Sequence, residues 1–501
     1  MNSVVPTTSS VRSSAAPLAM TAADFRALGH GLVEQLADLL AAIPSGPVTR
    51  DATPSLVRRA LDLEGPLPEA GTPAAPLLAD TAAGLFAHSL FNAHPRFFGY
   101  ITSSPAPIGM LGDLLASALN ANVGAWALSP AATELEAQTL RWIASFIGYG
   151  AGDGVLVSGG NMANMVCFLA ARAAKAPWNV REAGIAGEGR TLRAYCSAET
   201  HTWIQKAADM CGLGTASVRW IPTDSRQRMD VAALVEAIDR DAAAGDVPFL
   251  VVGTAGSVST GAIDPLREIH AVCRARNLWF HVDGAYGGVA NALPDAPPDL
   301  GGLSLADSIA VDPHKWLYAP IEVGCALVKD ADALTGAFSY HPPYYHFGEE
   351  ATNFLDRGPQ NTRGFRALKV WLALKHVGAA GYRAMIGDDI AVAGHLWDTV
   401  ARHPELEAVG KSLSIVTFRY LPPALRAGIG QPETERRLDA INREILDRLQ
   451  RGGEVFVSNA VVDGRYLLRA CVVNFHSTPA DMEAVAEVAV RLGRDAAAIA
   501  R

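Results

Sequence analysis

The stretch SIAVDPHKWLYAP, residues 308–320, sets a short β-branched, apolar run against a turn of Asp312, Pro313, His314 and Lys315, with Trp316 behind the lysine. An apolar run of this length that stops at polar or small residues reads as a strand buried on both faces. Similar runs flank it: GVLVSGG (154–160), LRAYCSAETH (192–201), PFLVVGTAGS (248–257), LWFHVDGAYGG (278–288) and GCALVKD (324–330). They alternate with segments of helical periodicity, the α/β pattern of an open, mostly parallel sheet. Ligands of such sheets bind beyond the strand ends, and that is where the polar residues of these runs collect.

Composition agrees with a small-molecule protein. The chain has 501 residues, half of them hydrophobic and 19% charged, enough to bury a large core divided into two or three lobes. Lys and Arg number 42 against 51 Asp and Glu, a net charge of −9, so the electrostatic footprint of a nucleic-acid binder is missing. Six cysteines lie scattered without C-x-x-C spacing, which argues against a zinc site and a disulfide framework and for reduced, buried thiols. We expect no metal. The N-terminal residues carry neither a basic leader nor a sustained apolar core, and no run of about 18 apolar residues follows, so a cytoplasmic protein without a membrane span is expected.

Residues 1–19, rich in Ser, Thr, Ala and Pro, read as a mobile tail. Residues 20–100 form a helical arm, in which Phe25, Leu28, Leu32, Leu36 and Leu39 recur at helical spacing behind Thr21 as N-cap. A second helical stretch runs around 78–92. The large α/β domain spans 101–385 and a small α+β C-terminal domain 386–501. The latter reads as strand 413–420, helix 433–451, strands 454–462 and 465–475, and a last helix from Pro479 with Thr478 as N-cap and Asp481 at N3.

Several strand ends carry chemistry. Lys315 follows a buried run, where desolvation is expected to lower its proton affinity and make it able to form a Schiff base. Asp283, at the tip of FHVDGAYGG, needs a cationic partner if buried, and a pyridinium nitrogen would be one; metal binding or helix capping are alternatives. Gly159, Gly160 and Asn161 lie between a strand and a helix, where free N–H groups and the helix dipole can hold a phosphate. His201 and Thr254 close their own runs, and each also has a plain capping or turn explanation.

The order phosphate turn, histidine, threonine, aspartate, lysine, each ending a successive run, is more specific than any member. With HPRFFGY (94–100), SPAATELE (129–136), HVDGAYGG, DPHKW, LTGAF (334–338) and FRALKVW (365–371), the chain from about Met20 onward resembles the pyridoxal-phosphate-dependent group II amino-acid decarboxylases. This is the family of aromatic-L-amino-acid and glutamate decarboxylases. The resemblance implies the fold type I, aspartate-aminotransferase-like architecture, with helices on both faces of the sheet, and a homodimer with active sites at the subunit interface. It implies pyridoxal 5'-phosphate as cofactor, with Lys315 as its covalent anchor, Asp283 on the pyridine nitrogen, His201 stacked on the ring and Ala285 against the other face. Gly159, Gly160 and His314 fall at the phosphate, and Thr254 near a cofactor oxygen. Asp312 stands where the animal enzymes often carry asparagine. In the loop after LTGAF, Tyr344 matches the tyrosine that protonates the α-carbon, with Tyr345 a competitor.

The same resemblance places Tyr100, Ile101 and Ser103 at the substrate, with Ser103 near the substrate carboxylate. Asn122 and Gly124 stand where the aromatic-acid enzymes carry bulkier residues. Tyr100 and Ile101 offer an apolar wall, so decarboxylation of an aromatic or bulky apolar L-amino acid to its amine is expected. Alternatives are glutamate, whose second carboxylate Arg469 could hold unless it is an ordinary strand arginine in a surface pair, 2,4-diaminobutyrate, and aldehyde-forming oxidative decarboxylation. Both His201 and Tyr344 are retained, which favours amine formation.

Overall fold

Seven strands make the larger sheet of the computed structural model, which describes residue 16 and residues 18–150, 152–340 and 351–499. The strands of the chain are β1 (Phe97–Phe98), β2 (Asp153–Val157), β3 (Leu192–Ser197), β4 (Val218–Ile221), β5 (Val247–Thr254), β6 (Trp279–Asp283), β7 (Ser308–Val311), β8 (Gly324–Val328), β9 (Leu406–Ser412), β10 (Ile415–Tyr420), β11 (Phe456–Val462) and β12 (Arg465–Cys471). The larger sheet runs in the order β2-β8-β7-β6-β5-β3-β4. Its pairs from β4 through β7 are parallel, and β8 runs antiparallel to both of its neighbours. Every residue of β6, β7 and β8 is buried, so helices must cover both faces. Helix Gly160–Lys175 packs on β5 to β8, and helices Val231–Ala243 and Leu266–Ala275 on β5.

All six apolar runs are strands. Three strands were not foreseen: β1, two residues long and placed in the expected helical arm, β4 and β9. β4 is an edge strand with Arg219 and Trp220 partly open to solvent, and β9 is only partly buried, so neither shows a continuous apolar run.

β1, β11, β12, β10 and β9 form a second sheet, antiparallel except for the parallel β1–β11 pair. Helices Pro432–Gly452 and Pro479–Ile499 pack against it around a core of its own. The HPRFFGY stretch thus contributes a strand to the C-terminal sheet, with Phe97 stacked on Phe456 at 5.1 Å. At the start of the last helix the Asp481 carboxylate accepts the Thr478 N–H at 3.0 Å, the back-bond expected of an N3 acid. The long helix Ala367–Arg402 is interrupted at Gly378, whose φ of 72° breaks the helical ladder.

The residues up to Phe91 and those from Asn92 onward form separate units. In the first, Thr21 caps helix Ala22–Ala42 by accepting the Asp24 N–H at 3.1 Å, and helices Pro54–Ala60 and Ala74–His88 follow. Phe25, Val33 and Leu36 of the first helix are exposed. Residues 1–15 and 17 of the expected tail lie outside the described residues, as does 341–350, which carries Tyr344 and Tyr345. Among the described residues no helix is long and apolar enough to cross a membrane.

Candidate active site

Parallel strands deliver their C-terminal ends to one edge of the sheet, and a cavity of about 150 Å³ opens there. Thr254 and Asp283 are register partners at the ends of β5 and β6. The turn after β7 adds Asp312 and Lys315, and the turn after β2 adds Gly160 and Asn161. His201, Ala285 and Ile101 complete the foreseen residues that line the cavity, and Asn164, Gly256, Val258 and Tyr286 line it unforeseen.

Asp283, only 7% exposed, accepts the Trp203 indole N–H on Oδ2 at 2.8 Å and the Ala285 N–H on Oδ1 at 3.2 Å. Among the described residues no cation pairs with it within 4.0 Å. Behind it, His281 is fully buried, and desolvation pushes its pKa down to about 4, so its ring is neutral. The Asn164 amide nitrogen donates to Gly160 O at 2.9 Å, which turns its oxygen to His281 Nε2 at 2.7 Å. Nε2 therefore carries the proton and donates, while Nδ1 accepts from Ser308 at 2.9 Å. This chain ties the phosphate-type turn to β6 and β7.

Lys315 corrects one expectation. Burial does disfavour its charge, but the carboxylates of Asp312, 3.0 Å from Nζ, and of Asp283 outweigh burial and hold its pKa above the ordinary lysine value. The opposite shift was expected because a buried strand end shows in the sequence and the facing carboxylate does not. Asp312 is 2% exposed, and its Oδ1 has no partner among the described residues. His201 is exposed, yet partial desolvation, only partly offset by Asp283, lowers its pKa. Its Nδ1 accepts the Trp203 N–H at 3.2 Å.

The turn itself is built for close approach. Gly159 has φ 96°, and a Cβ on Gly160 would meet Asp312 Oδ2 at 2.4 Å. His314 does not line the cavity: it packs beside Gly159, and its Nδ1 lies 2.6 Å from Val323 O. Ser103 spends its hydroxyl on His314 O at 2.9 Å. Tyr100, 60% exposed, tilts over Phe456. The Asn122 side-chain oxygen accepts the N–H groups of Gly124 and Arg363, and a Cβ on Gly124 would meet Asn361 O at 2.2 Å. These last two residues shape the backbone and are not brought to the cavity.

Trp203 was missed because a tryptophan after a histidine carries no sequence signal; its partner lies 80 residues on. Asn164 had a faint one, as a polar residue on the buried face of an apolar helix.

The pyridoxal-dependent decarboxylase conserved domain matches residues 56–421. An aromatic-L-amino-acid decarboxylase of Bacillus atrophaeus is 30% identical over 471 residues, covering 93% of this chain and 94% of that protein. A phenylacetaldehyde synthase of Petunia hybrida is 30% identical over 467 residues, 90% of each chain. The crystal structure of Oryza sativa TDC with PLP and tryptamine superposes with a TM-score of 0.88 at 30% identity, covering 96% of this chain and 99% of that one.

Proposed function

The chain belongs to the family of pyridoxal-dependent decarboxylases, and we propose that it converts an aromatic or bulky apolar L-amino acid to its amine with release of carbon dioxide. Its enzyme class, fold type I architecture and pyridoxal phosphate cofactor follow from that membership. The observation that carries the reading is Asp283, a buried carboxylate with no cation within 4.0 Å among the described residues, which shares one small cavity with Lys315. A protonated pyridine nitrogen is the partner such a carboxylate lacks, so the residues fit the cofactor.

When bound, pyridoxal phosphate supplies an electron sink for the pair left on the α-carbon as carbon dioxide departs. Asp283, held by Trp203, would pair with the ring nitrogen and favour its protonated form. Lys315, which lines the cavity, would hold the group covalently. The N-terminus of helix Gly160–Lys175 would hold the phosphate on the N–H groups of Gly160 and Asn161, while the Gly159 N–H is spent on Val157 O at 2.9 Å and Gly159 shapes the turn. His201, its pKa lowered by partial desolvation, and Ala285 would cover the two faces of the ring, and Thr254 would stand near one of its oxygens. Tyr344 remains the proposed proton donor to the α-carbon.

Ile101, Val258, Ala285 and Tyr286 give the cavity an apolar side, which supports an aromatic substrate. The relatives named for aromatic amino acids support it too. One observation favours an acidic substrate instead: Arg469, 2% exposed, donates from Nη1 to Tyr100 O and Ser458 Oγ, but its Nε and Nη2 have no partner among the described residues. It does not line the cavity, so the aromatic reading stands first. A panel of amino acids scored by carbon dioxide release separates the two. Turnover of tryptophan, tyrosine or DOPA is expected, and turnover of glutamate alone would sink the proposal.

The cytoplasm and a homodimer complete the proposal. Helix Pro107–Leu119 leaves Leu111, Leu114, Leu115 and Leu119 each at least half exposed, a surface that a second copy would cover. Sedimentation at the mass of one chain would contradict it.

A further inference from the structure

The larger cavity is not the cofactor's. It measures about 410 Å³, within the range of small-molecule sites, and lies where the turn after β4, the loop after β5, β9 and the β11–β12 turn meet. Four cationic side chains line it, Arg226, Arg228, Lys411 and Arg465, against two carboxylates, Asp299 and Asp463. Arg228 is committed to Asp224, with Nε at 3.0 Å and Nη2 at 2.8 Å. The other three cations have donors to spare. Arg465 comes no nearer than 3.7 Å to Glu407 and 3.9 Å to Asp463, beyond hydrogen-bond reach. Among the described residues, the side chains of Arg226 and Lys411 have no hydrogen-bond or ion-pair partner.

The cavity is also connected to the cofactor site. Gly256 and Val258 line the cofactor cavity, while Thr260, Ala262 and Ile263 of the same loop line the larger one. The N–H groups of Gly256 and Ser257 both donate to Ala262 O, at 3.1 and 2.8 Å, so the two walls are one hydrogen-bonded unit. Asp264 accepts the N–H of Thr254 at 2.8 Å and of Met229, next to Arg228, at 2.7 Å. The β9–β10 turn adds a second link. Ser412, lining the larger cavity, donates to Gly261 O at 2.7 Å, and Ser414 lies 2.7 Å from the Tyr286 hydroxyl at the cofactor cavity.

We propose that this second cavity binds a small phosphorylated metabolite bearing hydroxyl groups, and that its occupancy is transmitted to the cofactor cavity through the 255–264 loop and the β9–β10 turn. Unspent guanidinium and ammonium donors suit a phosphate. Asp299, with one oxygen 3.5 Å from Arg228, and Asp463, which accepts from Gln227 Nε2 at 2.9 Å on one oxygen, each keep a second carboxylate oxygen to accept from hydroxyls, and the volume exceeds what inorganic phosphate fills. Coupling between the sites is reciprocal, so a ligand here changes cofactor affinity by the factor by which the cofactor changes its own.

Calorimetric titration of the holoenzyme with inorganic phosphate, glucose 6-phosphate and 5'-AMP tests it. At least one organic phosphate is expected to bind once per chain, more tightly than inorganic phosphate, and tenfold or more weakly to the Arg226→Glu/Lys411→Glu variant. That variant changes only exposed side chains and should retain its activity without ligand. The bound phosphate should also shift the cofactor dissociation constant severalfold in the wild type and not in the variant. Absence of binding by all three probes, equal binding by the variant, or an unmoved cofactor constant overturns the proposal.

Discussion

Lys315 and Asp312 sit three residues apart on the turn that leaves β7, and their side chains meet at 3.0 Å. The aspartate favours the ammonium form, which cannot attack a carbonyl, so on the proposed role of Lys315 it opposes the lysine's reaction with the cofactor aldehyde. Asp312→Asn removes that anion and leaves burial opposed chiefly by Asp283. Its proton affinity then falls, and reconstitution of the cofactor-free protein at pH 7 should run severalfold faster, with its pH profile moved to lower pH. Stopped-flow absorbance reads both; an unmoved pH profile would show that Asp312 does not govern the lysine. The sequence displays Asp312 plainly but not its direction. Three residues of separation are compatible with facing a lysine or a phosphate, and only the turn after β7 decides.

At the scale of elements, Asp389 fastens helix Ala367–Arg402 to the stretch that carries Lys315. Its Oδ2 accepts the Trp316 indole at 2.8 Å and the Tyr318 hydroxyl at 2.7 Å. Trp316 in turn stacks on Tyr286 at 4.9 Å. Burial raises the Asp389 pKa to about 7 despite those donors. A raised carboxyl pKa means that the folded chain binds the proton more tightly than the unfolded chain. Stability from this group is therefore full below about pH 4 and lost as pH rises to about 7. Asparagine can accept the same two donors and does not titrate. The stability of Asp389→Asn relative to wild type should rise with pH across that window, by at most about 1.4 kcal/mol per pH unit. Denaturant melts at pH 5 and 8 measure it, and a constant difference would contradict the assignment. His281 works in the opposite sense: its lowered pKa costs stability as pH falls from about 6.5 toward about 4. The longer strands were legible in proportion to their burial, whereas β1 is buried but only two residues long and prints no run. β6, β7 and β8 are covered on both faces and print continuous apolar runs, whereas β4 and β9 each have an open side and print mixed ones.

Across the molecule, the site is assembled from residues that the chain separates by more than 200 positions and the sheet brings to one edge. What the sequence displays is the chemistry of each strand end: Lys315, Asp283, His201 and Thr254 can be picked out one by one. Which residues support them is not displayed, because Trp203 and Asn164 owe their roles to strands that neighbour them only in the folded sheet. The foreseen substrate residues divide on the same ground. Ile101 reaches the cavity through its apolar side chain, while Asn122 and Gly124 are consumed by backbone geometry at Arg363 and Asn361. The central claim joins a lysine, a carboxylate and an apolar wall into a decarboxylase of aromatic amino acids. Its most direct test is product analysis after purified holoenzyme meets L-tryptophan, L-tyrosine and L-DOPA, with Lys315→Ala beside it. The account predicts the corresponding amine and an equal amount of carbon dioxide from at least one of them, and none from Lys315→Ala. An aldehyde as the main product, or amine formation that survives the loss of Lys315, would contradict it.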